Sequence, residues 1–342
     1  MSKWYDMDAK ESDIVLSSRI RLARNLSNHN FMPVMEEEEE KTLVDEVVGQ
    51  FNKDYPDTYK PVFLSQCTES RKKALNEKRI INSHMANKSI GAVLISEDEG
   101  LEIMVNAEDH IRIQTLSNGM NLNGCLERAD KIDDYIDSHF DYAYDTQYGY
   151  KTTFPTNAGT GLRASYTLHL PGLSRNKRLN RLGTELGRFG MKIKPIYGYN
   201  DTGLGDLFQI STQKSLGHTE QEFIRDLTDV VTQMISQERE QRRRYYEKDR
   251  FASEDMAYKS YGVLKYARKL SLKDAMTLIS ELMLGMSLKI ISTEDGGTIP
   301  FNKIIMDIQP AVINNSTGKS LSVEETEVIR AQYLRNNLPE II

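Results

Sequence analysis

The stretch Gly91–Leu116 reads GAVLISEDEGLEIMVNAEDHIRIQTL and contains two short aliphatic runs. Ser89–Ile95 and Leu101–Val105 each have the length and composition of a strand, and Ser96–Gly100 between them is typical of a turn. Strands that follow one another this closely pair antiparallel, because a parallel pair needs a long crossover connection. The stretch therefore predicts a β-hairpin within an antiparallel sheet.

Outside this hairpin, apolar residues recur at helical spacing in some segments and as short β-type runs in others. Predicted helices are Glu36–Asn52, Leu122–Tyr135, Asn176–Gly190 and Thr219–Tyr246, and predicted strands are Gln147–Thr153, Arg163–Leu170, Met191–Tyr199 and Asp206–Ser211. From Ser253 to Gly285 the pattern is helical only. We expect an α+β fold, with an antiparallel sheet flanked by helices in residues 1–250 and an α-helical C-terminal domain in residues 251–342.

Composition argues against several classes of protein. The formal net charge of −6 disfavours nucleic acid as the main partner, because neutralising phosphates requires a basic surface. Apolar runs such as Ala92–Ile95 are too short to cross a membrane, and the polar start lacks an apolar signal core. The two cysteines make no disulfide framework, and the histidines have no zinc-site spacing. We expect a cytoplasmic protein without a metal site of its own.

The usual phosphate-binding loops are absent from the sequence. Gly159–Thr160–Gly161 lacks the Lys-Ser/Thr ending that a P-loop uses to hold a phosphate and its magnesium. Gly198–Gly205 has the wrong spacing for a dinucleotide-binding loop. Binding of a nucleotide by this chain would therefore need another set of cations.

Arginines recur in three segments that should lie on strands or strand ends, namely Ser17–Arg21, Asn106–Arg112 and Pro155–Ser165. In the first segment, alternation along a strand puts Arg19 and Arg21 on one face. Each segment also has a simpler interpretation. Arg19 and Arg21 could lie on a solvated strand edge, Glu108–Asp109 could be a local cap or ion pair, and Gly159 with Gly161 could only make a turn.

Together the three segments describe a way to bind a triphosphate without a P-loop. Guanidinium groups grip phosphate oxygens in bidentate fashion, and phosphoryl transfer depends mainly on positioning and charge neutralisation, which arginines with Mg²⁺ supply. A carboxylate beside them would align a cationic nucleophile and accept its proton. Glu108, four residues before Arg112, suits that role for a guanidinium, whose own pKa lies above ~12.

These segments resemble the phosphagen (guanidino) kinase superfamily and, within it, the McsB-type protein-arginine kinases. The resembling stretches are DIVLSSRIRLARNL from Asp13, GAVLISEDEGLEIMVNAEDHIRIQTL from Gly91, YGYKTTFPTNAGTGLRASYTLHLPGL from Tyr148, YGYNDTGLGDLFQIS from Tyr197 and SYGVLKYARKLS from Ser260. Small-molecule guanidino kinases begin with an additional helical domain, whereas this sequence reaches SSRIR at Ser17. That difference and the helical tail favour a protein substrate.

The resemblance implies a role for individual positions. Glu108 would be the carboxylate that aligns the substrate guanidinium, and His84 would lie near the adenine or ribose. The residues implied to bind nucleotide are Ser17, Ser18, Arg19, Ile20, Arg21, Arg112, Arg163, Ala164, Ser165, Tyr166, Thr167 and Lys194.

The resemblance also implies the cofactors and partners. ATP would be the phosphoryl donor, and Mg²⁺ would be held mainly through the nucleotide and waters. The partners would be proteins with exposed arginines, a McsA-type zinc activator, the CtsR repressor and the ClpC unfoldase, with no nucleic acid and no membrane. The C-terminal helices would form a homodimer.

Four positions depart from the family pattern. Phe154 stands where the family has a cysteine that helps to position the guanidinium. Lys194 replaces an arginine, so the positive charge is kept but the bidentate hydrogen bonding of a guanidinium is lost. Tyr199 replaces a second catalytic glutamate, for which Asp201 could compensate if the loop bends. In the tail, the phosphoarginine-binding motif lacks its leading arginine and keeps a remnant of Glu327, Arg330 and Ala331.

Three functions remain open at this point. The first is an active protein-arginine kinase that marks stress-damaged or regulatory client proteins. The second is a nucleotide-binding pseudokinase or adaptor of the same family, which Phe154 and Tyr199 would favour. The third is a kinase for a small guanidino compound, which would need a lid over its site where a protein substrate needs an open cleft.

Overall fold

The structure is a computed structural model that describes residues 2–7, 9–176, 179–198 and 203–342. Its strands are β1 Val15–Arg24, β2 Tyr59–Phe63, β3 Ala92–Ser96, β4 Leu101–Val105, β5 Ile111–Asn118, β6 Tyr144–Asp145, β7 Gly149–Tyr150, β8 Leu162–His169, β9 Met191–Pro195 and β10 Leu207–Thr212. Its α-helices are α1 Glu37–Asp54, α2 Glu69–Glu77, α3 Ser83–Ala86, α4 Leu122–Asp137, α5 Pro171–Arg175, α6 Leu179–Arg188, α7 Glu220–Lys248, α8 Arg250–Tyr266, α9 Leu272–Ser287, α10 Phe301–Asp307, α11 Pro310–Thr317 and α12 Val323–Asn337.

Within the described residues, eight strands form one sheet in the order β2-β3-β4-β5-β1-β8-β10-β9. The predicted hairpin is confirmed, since β3 and β4 pair antiparallel with Ala92 opposite Val105. β2 pairs with β3, β4 with β5, and β5 with β1, again antiparallel. The predicted fold class, an antiparallel sheet flanked by helices and followed by a helical C-terminal region, is thereby confirmed.

Strand β1 lies inside the sheet, between β5 and β8. At its ends the Ala23 amide donates to the Gly161 carbonyl at 3.0 Å, and the His169 amide donates to the Ile14 carbonyl at 2.8 Å. Arg19 is buried in this strand. The interpretation of Arg19 and Arg21 as a solvated strand edge is therefore wrong, because β1 has a strand on both sides.

The predicted strand Gln147–Thr153 is wrong in extent, since only Gly149–Tyr150 forms a strand, paired with β6. The residues that follow bond elsewhere. The Lys151 amide donates to the Ala143 carbonyl at 2.7 Å, and the Thr153 amide donates to the Asp109 carboxylate at 2.7 Å. The Thr153 amide thus bonds to the Asp109 side chain instead of to the backbone of a neighbouring strand.

The chain divides into two compact units that do not follow the order of the sequence. The first comprises residues 1–10, 17–166 and 211–228, and the second comprises residues 11–16, 167–210 and 229–342. The second unit has a core of aliphatic side chains from α8, α9, α10 and α12, including Leu264, Ile279, Leu282, Ile304 and Leu334. The division into domains at residues 250 and 251 remains a prediction. None of the described helices is long and apolar enough to span a membrane.

Candidate active site

A cleft of about 230 Å³ opens in the first unit. It is lined by Arg21, Ala23, Glu108, Arg112, Phe154, Thr156, Asn157, Gly161 and Arg163. The three segments singled out by their arginines therefore meet in one place, although they are far apart in the sequence. Half of the surface of Phe154 is exposed there (50%).

Strand register places the arginines of β1 and β5 side by side. Ala23 of β1 lies opposite Arg112 of β5, and Arg21 lies opposite Gln114. Because alternate residues of a strand share a face, Arg21, Arg112 and the small Ala23 are on the same side of the sheet. The methyl group of Ala23 leaves the space beside Arg112 open to the cleft.

The conformation of the loop that precedes β8 depends on Gly161 and on the buried side chain of Arg24. Gly161 has φ +66°, and a Cβ there would lie 2.5 Å from Nη1 of Arg24 and 2.6 Å from the Ala23 carbonyl oxygen. Arg24 itself donates to the Thr160 carbonyl at 3.0 Å and forms a 2.6 Å ion pair with Asp133. Its guanidinium also stacks on the Tyr150 ring, 3.6 Å from the centroid. These contacts fix the loop that carries Thr156 and Asn157.

Glu108 lies in the turn between β4 and β5 and projects into the cleft. Its Oε2 forms a 2.5 Å ion pair with Nη1 of Arg112 and accepts a 2.7 Å hydrogen bond from Nδ2 of Asn82. Asp109 turns away and is buried, where it accepts from the amide of Thr153 and from the Asn25 side chain. Glu108 is the carboxylate available to a ligand, and Asp109 ties the turn to the neighbouring loop.

Positive charge is crowded in the cleft. Burial and the charges of Arg112, Arg163 and Arg79 lower the pKa of Arg21, and Glu108 only partly offsets them. Burial and Arg112 likewise lower the pKa of Arg163. Nε of Arg21 is buried and has no hydrogen-bond partner among the described residues. An anion with several oxygens would satisfy these guanidinium groups, since burying an unpaired charge is costly.

Several predicted nucleotide-binding residues use their side chains elsewhere. The Ser18 hydroxyl donates to the Gly119 carbonyl at 2.7 Å and accepts from the Asn121 amide, and the Tyr166 hydroxyl bonds Thr228. Ser17, Ile20, Ala164, Ser165 and Thr167 are buried within β1 and β8. Arg19 is also buried, with Nε 3.5 Å from the Ser165 hydroxyl. None of these side chains lines the described cleft, so any contact with a ligand there would come from their backbone or from a shift of Arg19.

Other predicted site residues are not part of this cleft. His84 is exposed on α3, two residues after Asn82, which contacts Glu108. Lys194 is exposed on β9 in the second unit. Tyr199 and Asp201 lie outside the described residues, so the predictions made for them stay untested.

In the C-terminal region, Arg330 is buried. Its Nε donates to the Ile308 carbonyl at 2.9 Å and its Nη1 donates to the Leu270 carbonyl at 3.0 Å. Glu327 lies 3.6 Å from the Lys269 ammonium, and Ala331 belongs to the core. The Arg330 guanidinium therefore donates hydrogen bonds to the backbone carbonyls of Ile308 and Leu270.

The sequence analysis missed three contributors to this site. Asn82 contacts Glu108, and Thr156 and Asn157 line the cleft. Thr156 and Asn157 belong to the Pro155–Ser165 segment. Their polar side chains, close to Gly159 and Gly161, could have indicated a role in binding. Asn82 has no such pattern around it, because its role depends on a contact 26 residues away in the sequence.

Comparisons with known proteins show the family to which the chain belongs. Residues 39–241 match the family described as ATP:guanido phosphotransferase, C-terminal catalytic domain, and residues 250–341 match the protein-arginine kinase McsB C-terminal domain. The chain is 39% identical over 341 residues to the protein-arginine kinase of Halalkalibacterium halodurans, covering 99% of this chain and 95% of that protein. It is 39% identical over 332 residues to the enzyme of Staphylococcus saprophyticus, covering 96% of each.

Solved structures show the same fold. Lombricine kinase superposes with a TM-score of 0.59 at 21% identity, covering 70% of this chain and 69% of that chain. The duplicated taurocyamine kinase from Schistosoma mansoni gives 0.59 at 23% identity, covering 69% of this chain and 34% of that chain. The family match over residues 39–241 shows that the chain is an ATP:guanido phosphotransferase. Within that class, the chain belongs to the protein-arginine kinase family.

Proposed function

We propose that this chain transfers the γ-phosphoryl group of ATP to the guanidinium of arginine side chains in proteins. The observation that carries the proposal is the convergence of Arg21, Arg112, Arg163 and Glu108 on one open cleft. The arginines provide the charge that a triphosphate needs, and Glu108 provides the carboxylate that a guanidinium needs. The printed names of the relatives support arginine in proteins as the acceptor.

In the proposed reaction, a guanidinium nitrogen attacks the γ-phosphorus, the N–P bond forms, and the bond to the β,γ-bridging oxygen breaks to release ADP. The proton lost by the guanidinium goes to Glu108, which returns it to solvent. Arg21, Arg112 and Arg163 hold the phosphate oxygens and offset the charge that develops on them. Mg²⁺, which usually binds through substrate phosphates and waters, would enter with the nucleotide.

Incubation of the chain with ATP, Mg²⁺ and an unstructured arginine-rich protein should produce acid-labile phosphate on arginine. The matched substrate control replaces every arginine by lysine, which keeps the charge and removes the acceptor. Arg112→Ala and Arg163→Ala should each weaken ATP binding by about tenfold or more in calorimetry, because each removes charged hydrogen bonds. Arg181→Ala, on an exposed side chain of α6, should leave the affinity unchanged.

A second candidate, nucleotide binding without transfer, is favoured by one observation. Phe154 lines the cleft beside Glu108 and offers neither a charge nor a hydrogen bond to a guanidinium. Under this alternative, calorimetry would show ATP binding that depends on the arginines, while no arginine in any protein substrate became phosphorylated. Transfer to a free guanidino compound but not to protein would instead support a small-molecule kinase.

The family resemblance supports further proposals about the setting of this activity. We infer a cytoplasmic enzyme of the stress response that forms a homodimer. Its partners would be a McsA-type zinc activator, the CtsR repressor and the ClpC unfoldase. Co-purification from cells with each partner tagged in turn would test this set.

A further inference from the structure

Among the described residues that line the cleft, Phe154 is the one large apolar side chain. Half of its surface is in water, so the ring gives up part of the free energy that burial would provide. The cation–π contacts within the described residues all involve tyrosine rings. The ring of Phe154 is therefore open to a cation that comes from outside the chain.

The ring is held close to the carboxylate of Glu108 by a contact between two loops. The Thr153 amide donates to the Asp109 carboxylate at 2.7 Å. Glu108 and Phe154 are each one residue away from this contact, and both line the cleft. The Phe154 carbonyl also accepts from the Asn157 amide at 2.9 Å, which fixes the backbone after the contact. The cleft thus presents a carboxylate and an aromatic ring together.

The first unit already holds one guanidinium with this pair of groups. Nε and Nη2 of Arg24 donate to the Asp133 carboxylate at 3.0 and 2.6 Å. The Cζ atom of Arg24 lies 3.6 Å from the centroid of the Tyr150 ring. The two contacts do not compete, because a guanidinium donates hydrogen bonds from its edge and stacks through its face. An aspartate and a tyrosine together therefore bind a guanidinium in this chain.

We infer that Phe154 binds the acceptor arginine by stacking on the face of its guanidinium while Glu108 accepts hydrogen bonds from its edge. The inference rests on the proposed function, since it concerns the acceptor of that reaction. Contacts to both the edge and the face fix the plane of the guanidinium, and such fixed orientation is what transfer to one of its nitrogens requires. The ring also favours a cation over a neutral group of the same shape, because the attraction is electrostatic.

Two peptides that differ in one residue test this role. One contains a single arginine, and the other has citrulline in its place, which is similar in shape but uncharged. Calorimetry with the non-hydrolysable β,γ-imido analogue of ATP present should show that Phe154→Leu lowers the affinity for the arginine peptide by about threefold to tenfold. Phe154→Tyr, which keeps an aromatic ring, should restore it. The affinity for the citrulline peptide should change by less than twofold in both variants.

Phe189→Leu makes the same substitution at an exposed phenylalanine of the second unit and should match the wild type. The affinity of Phe154→Leu for the ATP analogue should also be unchanged, which shows that the cleft is intact. Equal affinity of the wild type and Phe154→Leu for the arginine peptide would overturn the inference. An equal loss for both peptides would overturn it too, because apolar contact alone would then explain the effect.

The proposed function is tested separately by replacing the analogue with ATP. A wild-type chain that bound the arginine peptide through Phe154 but transferred no phosphate to it would contradict the proposed transfer and leave the role of Phe154 standing. Transfer by the wild type, with equal peptide affinity in Phe154→Leu, would do the reverse.

Discussion

Glu108 and Arg112 form an ion pair in the cleft, and a substrate guanidinium would have to compete for the same carboxylate. A triphosphate bound as proposed would release Glu108 from this ion pair, because its oxygens offer Arg112 another anionic partner. Asn82, which donates a hydrogen bond to Oε2 of Glu108, would keep this carboxylate in place during the exchange. The proposed roles therefore predict that the nucleotide binds before the arginine acceptor.

Glu108→Gln tests this role at the level of one side chain. The amide is nearly isosteric but cannot take the proton, so we expect arginine phosphorylation to fall by ~10²–10⁴-fold while ATP affinity changes little. Phosphoarginine formation measured at saturating ATP, together with calorimetry, separates the two effects. Asp109→Asn serves as the comparison, since Asp109 is buried and bonded to Thr153 and Asn25. Near wild-type turnover of Glu108→Gln would contradict the assignment.

Gly161→Ala should disturb the cleft through the backbone. The added methyl group would meet Arg24 and the Ala23 carbonyl, and φ +66° is itself strained for alanine. We expect a loss of about 2–4 kcal/mol in the free energy of unfolding, with weaker ATP binding. Gly187→Ala is the control, because a Cβ at this exposed position in α6 meets nothing within 4 Å. That variant should be neutral or up to about 1 kcal/mol more stable.

Among the elements, the hairpin of β3 and β4 depends on one carboxylate in its turn. Oδ1 of Asp98 accepts hydrogen bonds from the Ser96 hydroxyl at 2.6 Å and from the Gly100 amide at 3.2 Å. The guanidinium of Arg128 on α4 donates to both carboxylate oxygens of Asp98, at 2.6 Å to Oδ2 and 2.8 Å to Oδ1. Burial opposes ionisation of Asp98, but the bonds from Arg128 and Ser96 outweigh it and lower its pKa to about 2.

Asp98→Asn should therefore destabilise the protein in a pH-dependent way. A lowered folded-state pKa means that the stabilisation is complete above pH ~4 and is lost as pH falls towards 2. We expect a loss of about 1–2 kcal/mol at pH 7 in urea unfolding, shrinking below pH 4. Asp134→Asn, on the exposed side of α4, should show no such trend. A pH-independent difference would mean that lost packing, and not charge, explains the effect.

For the whole molecule, the C-terminal helices leave aromatic side chains on the surface. Phe251 and Tyr266 of α8 are 81% and 71% exposed, and Tyr258 lies between them along the helix. Exposed aromatic residues at roughly helical multiples are typical of an association surface. They agree with the proposed homodimer, for which the second unit would supply the interface.

Sedimentation velocity should find the full-length chain as a dimer at micromolar concentration. Phe251→Glu combined with Tyr266→Glu should shift it to the monomer, because burying these charges in an interface is unfavourable. Phe189→Glu places the same charge on another exposed aromatic residue and should leave the dimer intact. A wild-type chain that stayed monomeric at high micromolar concentration would contradict the proposal.

The sequence by itself determined the local elements and the identity of the cationic residues. The β3–β4 hairpin and helices α1, α4 and α7 follow from apolar periodicity, which is a property of neighbouring residues. The sequence also singles out Arg21, Arg112 and Arg163, because arginines recur in three predicted strand segments, and Glu108, because it lies four residues before Arg112. The resemblance to guanidino kinases then implied their roles, and all four line one cleft in the structure.

Only the tertiary structure decided which of these residues face one another. Strand register and the central position of β1 bury Arg19 while Arg21 reaches the cleft, and no pattern within the segment distinguishes the two. The Thr153 amide bonds to the Asp109 carboxylate instead of to a neighbouring strand, and the Gln114 side chain donates to the Arg79 carbonyl. Such contacts join residues that are dozens of positions apart, and local propensity contains no information about them.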